Sequence, residues 1–201
     1  MVLRKLIQEA IEYIWNNNIK DDLDKRMISN EDTLKCAFYK HLRERLSDEF
    51  LLENNLRIVT ELPLSNFDIK NGDKHNRIDL TVVDPQQTDF LPLKYWSNKV
   101  IVMVEFKYIQ ARIERLNVIN DFSFIKQIHK DIEKLHQLTQ LEKYNNTLMV
   151  GAFVHEMDYG SDKISFAEDY LHHLNSSPSN IIELVGFLKG NDYRTVVNKF
   201  G

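Results

Sequence analysis

Apolar residues recur at helical spacing at the start of the chain: Leu3, Leu6, Ile7, Ala10, Ile11, Ile14 and Trp15. That stripe predicts an amphipathic helix, ended by Asn16-Asn17-Asn18. The charged stretch from Lys20 to Arg26 predicts a loop. Ser29 and Asn30 are good N-caps, and the acids Glu31 and Asp32 follow them. They open a second helix whose stripe is Leu34, Phe38, Leu42 and Leu46. Cys36 falls off that stripe, as a small half-buried residue would.

The period then shortens to two. Arg57 to Leu64 reads as a strand, with Phe67 to Lys70 continuing it and Asn71-Gly72-Asp73 as a turn signal. Arg77 to Val83 is a second strand. Pro85 to Asn98 is a long excursion carrying Phe90, Tyr95 and Trp96. Val100-Ile101-Val102-Met103-Val104 is apolar without a break, which marks a strand covered on both faces. A long helix follows with Ile125, Ile128, Ile132, Leu135 and Leu138 as its stripe. Then come a strand over Thr147 to Val154, a helix around Phe166 to Leu174 and a last strand around Ile181 to Leu188. The order is helix, helix, three strands, helix, strand, helix, strand, an α/β pattern with no internal repeat and no linker.

Composition narrows the class. The 201 residues suit one domain, and 43% hydrophobic content is enough for a packed core. Six glycines and four prolines exclude a collagen-like chain or a flexible linker. A single cysteine excludes a disulfide framework and a cysteine-based zinc site, and fits a reducing compartment. Gln8, Glu9 and Glu12 interrupt the apolar run that a signal peptide would need. No stretch approaches the ~18 apolar residues of a membrane span. A cytoplasmic protein without membrane contact is expected. The net charge of −4 argues, at first, against a nucleic-acid partner.

Several familiar chemistries are missing: no Gly-rich phosphate loop, no Gly-x-Ser-x-Gly elbow and no His-Glu-x-x-His pair. His129, Glu133 and His136 share a helical face but read as a solvated flank, since zinc needs converging ligands. His172-His173 read as surface.

The informative feature is charge set inside apolar strands. Asp79 interrupts Ile78 to Val83, and Glu105 and Lys107 end the most hydrophobic strand. Alternate residues of a strand share a face, so Glu105 and Lys107 point the same way. A carboxylate taken out of water is costly unless paired or bound to a metal. A salt bridge from Lys107 to one acid would leave the other acid over. Two carboxylates on neighbouring strands suit Mg²⁺, a hard cation that prefers oxygen ligands. Such an ion lowers the pKa of bound water and neutralises charge on a phosphate, while a lysine beside it orients water and stabilises the transition state. Those are the needs of phosphodiester hydrolysis.

Ile78-Asp79, a spacer, and Glu105-Phe106-Lys107 resemble the motif of the PD-(D/E)XK nuclease superfamily, with Ile78 in place of the proline. Residues 29 to 154 follow that family's order of helix, three strands, helix, strand. The resemblance implies a restriction-endonuclease-like fold: a central mixed sheet flanked by helices, α-β-β-β-α-β, with an extra N-terminal helix and a C-terminal helix-strand extension. The whole chain, 1–201, forms one such domain with its core at about 29–155. The resemblance also implies a deoxyribonuclease, more an endonuclease than an exonuclease, that uses Mg²⁺ or Mn²⁺. Asp79 and Glu105 hold the metal with the Phe106 carbonyl, Lys107 acts on the water, and Glu31 completes the metal site as a third acid. Glu61 competes with Glu31 for that role. On the following helix, Lys126, Gln127 and Lys130 are candidates for substrate contact, and residues 127–135 resemble the post-motif helix of small bacterial members. Asp68-Ile69-Lys70 mimics the triplet, but it precedes a turn and has no Asp-bearing strand ahead of it.

DNA is the expected partner before RNA, and cutting both strands of a duplex suggests a homodimer. The alternative is an inactive nuclease-fold module that binds nucleic acid or protein; such a module tends to lose the Asp, the Glu or the Lys. The acidity changes meaning in this light. Bound cations offset it, and Lys107, Arg112, Arg115, Lys126, Lys130 and Lys134 cluster around the motif. DNA binding without metal should be weak and steeply salt-dependent.

Overall fold

In the computed structural model, residues 2–63, 77–85, 100–109, 122–156, 181–189 and 192–199 are described. The expected strand continuation at 67–70, the turn at 71–73, nearly all of the aromatic excursion and the helix at 166–174 lie outside them, as do Arg112 and Arg115.

The first stripe builds more helix than its sequence suggests. Helix α1 spans Val2–Tyr13, a π-helical turn spans Ile14–Ile19, and α2 spans Lys20–Asp24. The asparagine run does not stop the helix, and the expected loop is helical up to Asp24. The reason is burial at both ends of the run. Trp15, Ile19 and Leu23 are fully buried, and the Trp15 indole N–H donates to the Val185 carbonyl at 3.4 Å. A widened π turn keeps these side chains on the core while the asparagines stay outside it.

Helix α3, Glu31–Leu46, starts where the capping residues place it. The Asn30 side chain accepts from the Thr33 N–H at 2.8 Å, and the Thr33 hydroxyl accepts from the Asn30 N–H at 3.0 Å. This reciprocal cap sets the first turn, and so the direction of Glu31. The stripe residues Leu34, Phe38, Leu42 and Leu46 are all buried, whereas Cys36 is exposed rather than half-buried. Ser47 breaks the helix with φ 62°, and its hydroxyl caps a short α4, Asp48–Glu53, that the sequence pattern did not reveal.

Six strands form one mixed sheet: β1 Arg57–Pro63, β2 Arg77–Val83, β3 Val100–Ile109, β4 Leu148–His155, β5 Ile181–Lys189 and β6 Asp192–Lys199. They lie in chain order. β1, β2 and β3 run antiparallel to one another, β3, β4 and β5 run parallel, and β6 returns antiparallel to β5. The α-β-β-β-α-β order therefore stands, and the C-terminal extension ends in a β5–β6 hairpin rather than in one strand. Helix α5, Phe122–Thr139, joins β3 to β4 as the crossover that parallel strands need.

Helices cover both faces. One core joins α1 to α4 with Leu80, Val82, Val102, Val104, Phe106 and Val150. The other joins Leu135 and Leu138 of α5 with Ile78, Met103 and Met149. β3 feeds both, which explains its unbroken apolar run. No helix among the described residues is long and apolar enough to cross a membrane.

Candidate active site

Regular alternation would put residues 78, 80 and 82 on one face of β2. Instead Leu80 and Val82 join the core beneath α3, while Ile78 joins the core beneath α5. The change of face falls at Asp79. Directly across, Glu61 of β1 has φ 58°, and the β1–β2 ladder pairs Thr60 with Leu80 and Leu62 with Ile78 but skips Glu61 and Asp79. A left-handed glutamate inside a strand is strained, and such strain concentrates at functional sites.

The β2–β3 register pairs Leu80 with Val104, so one further step sets Asp79 opposite Glu105. Asp79 is held at both oxygens: Oδ2 accepts from the Phe106 N–H and Oδ1 meets the Lys35 ammonium, each at 2.8 Å. Lys35 also pairs with Glu61. It reaches them from α3, one turn beyond Glu31, and its side chain is only 14% exposed. Burial pulls the Lys35 pKa down, but the hydrogen bonds and charges of Asp79 and Glu61 outweigh burial and raise it.

Glu105 and Lys107 do not pair with each other. Glu105, 6% exposed, takes the Lys134 ammonium from α5 at 2.8 Å, and Lys134 also donates to the Arg77 carbonyl at 2.6 Å. Burial pushes the Glu105 carboxyl up to about 8; Lys134 opposes that, while Asp79 and Asp131 add to it. Lys107 pairs instead with Glu31 at 3.1 Å. Burial acts to lower the Lys107 pKa, but Glu31, Asp131 and Asp79 raise it on balance, so the group is an ammonium at neutral pH. Burial likewise raises the Asp131 carboxyl, with Lys107 and Lys134 opposing.

The structure thus brings together Asp79, Glu105, Lys107 and Glu31. Glu61 contacts Lys35, whereas it is Glu31 that pairs with Lys107. Lys130 is exposed, and Glu133 and His136 are exposed on the same helix. Lys126 and Gln127 precede the described side chains of α5. The residues that α5 does bring are Asp131 and Lys134, and α3 adds Lys35. Sequence reading missed these three as site residues because charged positions on amphipathic helices read as solvent-facing. The usable signal was that Lys35 follows Glu31 by four and Lys134 follows Asp131 by three, each pair on one helix face.

Five carboxyl groups (Glu31, Glu61, Asp79, Glu105 and Asp131) therefore meet three ammonium groups (Lys35, Lys107 and Lys134). Among the described residues, no three acidic, histidine or cysteine side chains converge as metal ligands. The donor chemistry nonetheless fits a hard cation. Asp79 and Glu105 offer carboxylate oxygens from adjacent strands, and each is satisfied here by a lysine ammonium.

A second buried acid lies on β5. Glu105 pairs in register with Gly151, Gly151 with Glu183, and Glu183 with Asn198. Glu183 is fully buried, and burial lifts its carboxyl to about 8, with the neighbouring Asn198 side chain opposing. The Phe153 ring lies over Gly151, where an added Cβ would stand 2.6 Å from it.

No protein-family model matches the chain, and no curated protein matches it. Among solved structures it is similar to SfsA of Pyrococcus furiosus, solved in complex with Ca²⁺, at 12% identity and a TM-score of 0.33. That likeness covers 84% of this chain and 63% of SfsA, so the chain spans less than two thirds of SfsA's length.

Proposed function

We propose that this protein is a divalent-cation-dependent nuclease that hydrolyses phosphodiester bonds, acting on DNA in preference to RNA. The observation that carries this reading is the excess of carboxyl over ammonium groups around Asp79 and Glu105. Once the Glu105 carboxyl is ionised, five carboxylates face three ammonium groups among the described residues, an excess of two that matches the charge of one divalent cation. The resemblance of Ile78-Asp79…Glu105-Phe106-Lys107 to a nuclease motif supports the same reading.

Asp79 and Glu105 would hold the cation, which in this chemistry neutralises charge on the phosphate and lowers the pKa of bound water. The Phe106 N–H fixes one oxygen of Asp79, so the carboxylate is oriented before any ligand arrives. Lys107 is a charged donor. It holds water by hydrogen bonding and stabilises negative charge building on phosphorus. Glu31 keeps that ammonium at the centre, so its role is positioning. Lys35 and Lys134 balance the acids and keep the cluster folded.

A non-catalytic binding module is the second reading, and one observation favours it: both motif acids are satisfied by lysines without any further ion. Incubation with Mg²⁺ or Mn²⁺ and a panel of linear, supercoiled, branched and single-stranded DNA, with RNA beside it, separates the two. Cleavage that Asp79→Ala, Glu105→Ala and Lys107→Ala each abolish, with folding verified by circular dichroism, supports the nuclease. A folded protein that binds neither cation and cuts nothing on the panel is not one.

A further inference from the structure

Asp32, Lys35, Cys36 and Tyr39 recur at spacings of three, four and seven along α3, and so share one face. That face looks across to Ile58, Thr60 and Glu61 of β1, an edge strand of the sheet. Between them lies a groove of about 490 Å³ lined by these seven residues, a size that suits small-molecule ligands. It opens onto the acidic centre, because Lys35 and Glu61 belong to both. It continues, past Tyr39 and Ile58, into a second hollow of about 360 Å³ that brings in Arg43 and Arg57.

The lining is selective. Tyr39 offers an aromatic face and Ile58 an aliphatic one. Thr60, Asp32 and Glu61 add hydroxyl and carboxylate groups to the lining. The acids disfavour a phosphate among them, and the only cation among the described residues that line it, Lys35, stands at the end shared with the centre. A flat, apolar-faced group with a hydrogen-bonding edge fits such a place, and its attached phosphate would then lie towards the Lys35 end.

We propose that the groove between α3 and β1 holds one nucleobase of the strand being cut, stacked on Tyr39, with that nucleotide's phosphate towards Lys35. The inference rests on the nuclease reading and deepens it: strand ends and unpaired stretches become the favoured substrates, because a base inside a duplex is not free to enter.

Cys36 makes the test direct. It is the single cysteine of the chain, it is exposed, and it lines the groove. Its alkylation rate by a maleimide, measured with Mg²⁺ present, reports occupancy without any cleavage. Adenosine, adenosine monophosphate and ribose 5-phosphate serve as probes, since none contains a phosphodiester bond to cut. The two adenine compounds should slow alkylation and ribose 5-phosphate should not. Tyr39→Leu, which keeps bulk but loses the ring, should weaken adenosine monophosphate by roughly 5- to 150-fold, the loss of one base–aromatic stack. Tyr39→Phe should retain protection, which also guards against a folding defect. Protection by ribose 5-phosphate alone, no protection by either adenine compound, or unchanged affinity in Tyr39→Leu overturns the proposal. If DNA is cut while Cys36 goes unprotected, the base pocket fails and the nuclease stands. If adenine compounds protect Cys36 in a protein that cuts nothing, the pocket stands and the nuclease fails.

Discussion

Lys134 of α5 sits 2.8 Å from Glu105 of β3, and it is this lysine, not the neighbouring Lys107, that satisfies the most buried acid of the site. Removing it should cost different amounts at different pH. With the Glu105 carboxyl at about 8, the group is protonated at about pH 6, and Lys134→Ala then loses one hydrogen bond from a charged donor, about 1.5–3 kcal/mol. Without Lys134 that carboxyl rises further, so at about pH 9 the variant must either hold a proton that the wild type has released or bury an unpaired charge, and the loss should grow to about 3–5 kcal/mol. Urea unfolding of the variant at both pH values tests this; equal losses would mean that Glu105 does not titrate between them.

The same acid gives the wild-type protein a pH slope of unusual direction. Glu105 and Glu183 both have carboxyls raised to about 8 from an ordinary 4.5. In that interval the folded state binds more protons than the unfolded one, so stability falls as pH rises. It is full below about 4.5 and lost through about 8, with each group contributing at most roughly 5 kcal/mol. Glu105→Gln and Glu183→Gln should each flatten the slope seen in chelator. A stability that rises from pH 5 to 8 in both variants and wild type alike would contradict the burial argument.

Cation binding should run the other way. An ion held by Asp79 and Glu105 needs the Glu105 proton gone, so Mg²⁺ affinity should increase towards alkaline pH. Binding near neutrality should release a proton, seen by calorimetry in buffers of different ionisation enthalpy. Glu105→Gln should lose both the binding and the proton release.

Glu61 predicts an inverted glycine effect. At an ordinary strand position glycine is worse than alanine by about 0.5–1 kcal/mol. At φ 58° the order should reverse, with Glu61→Gly more stable than Glu61→Ala by about 1 kcal/mol. Both variants lose the contact with Lys35 equally, so their difference isolates the backbone. Thermal melts of the pair suffice.

Gly151→Ala should destabilise by about 1–3 kcal/mol, because the new methyl meets the Phe153 ring. Adding Phe153→Leu should recover part of that loss, giving a coupling energy in a double-mutant cycle. Strict additivity would show that the ring moves aside freely.

The sequence spoke most clearly where burial and chemistry conflict. Asp79, Glu105 and Lys107 are visible because charge inside an apolar strand needs a reason, and the Asn30 cap fixes where Glu31 must stand. The strands followed from their period, except β6, whose Tyr193, Val196 and Val197 are too few to mark one. The asparagine run hid the π turn, because a local stop signal was overridden by the burial of Trp15 and Ile19. Lys35, Asp131 and Lys134 were harder to read for a different reason: their spacing shows a shared helix face, but a charged residue on an amphipathic helix looks the same whether it meets water or a buried partner, and only docking on the sheet decides. Glu61's backbone angle has no signature at all in a residue that rarely adopts it.

Among the described residues, every strand of this sheet after β1 hydrogen-bonds the strand just before it in the chain. The sheet can therefore grow in order as the polypeptide leaves the ribosome. Asp79 and Glu105 are then made before Lys134, which follows Glu105 by 29 residues, a delay of about 1.5–6 s at ~5–20 residues/s. During that interval the acid has only a proton to neutralise it, and the arrival of α5 adds an ammonium that draws the carboxyl down from where burial alone would hold it.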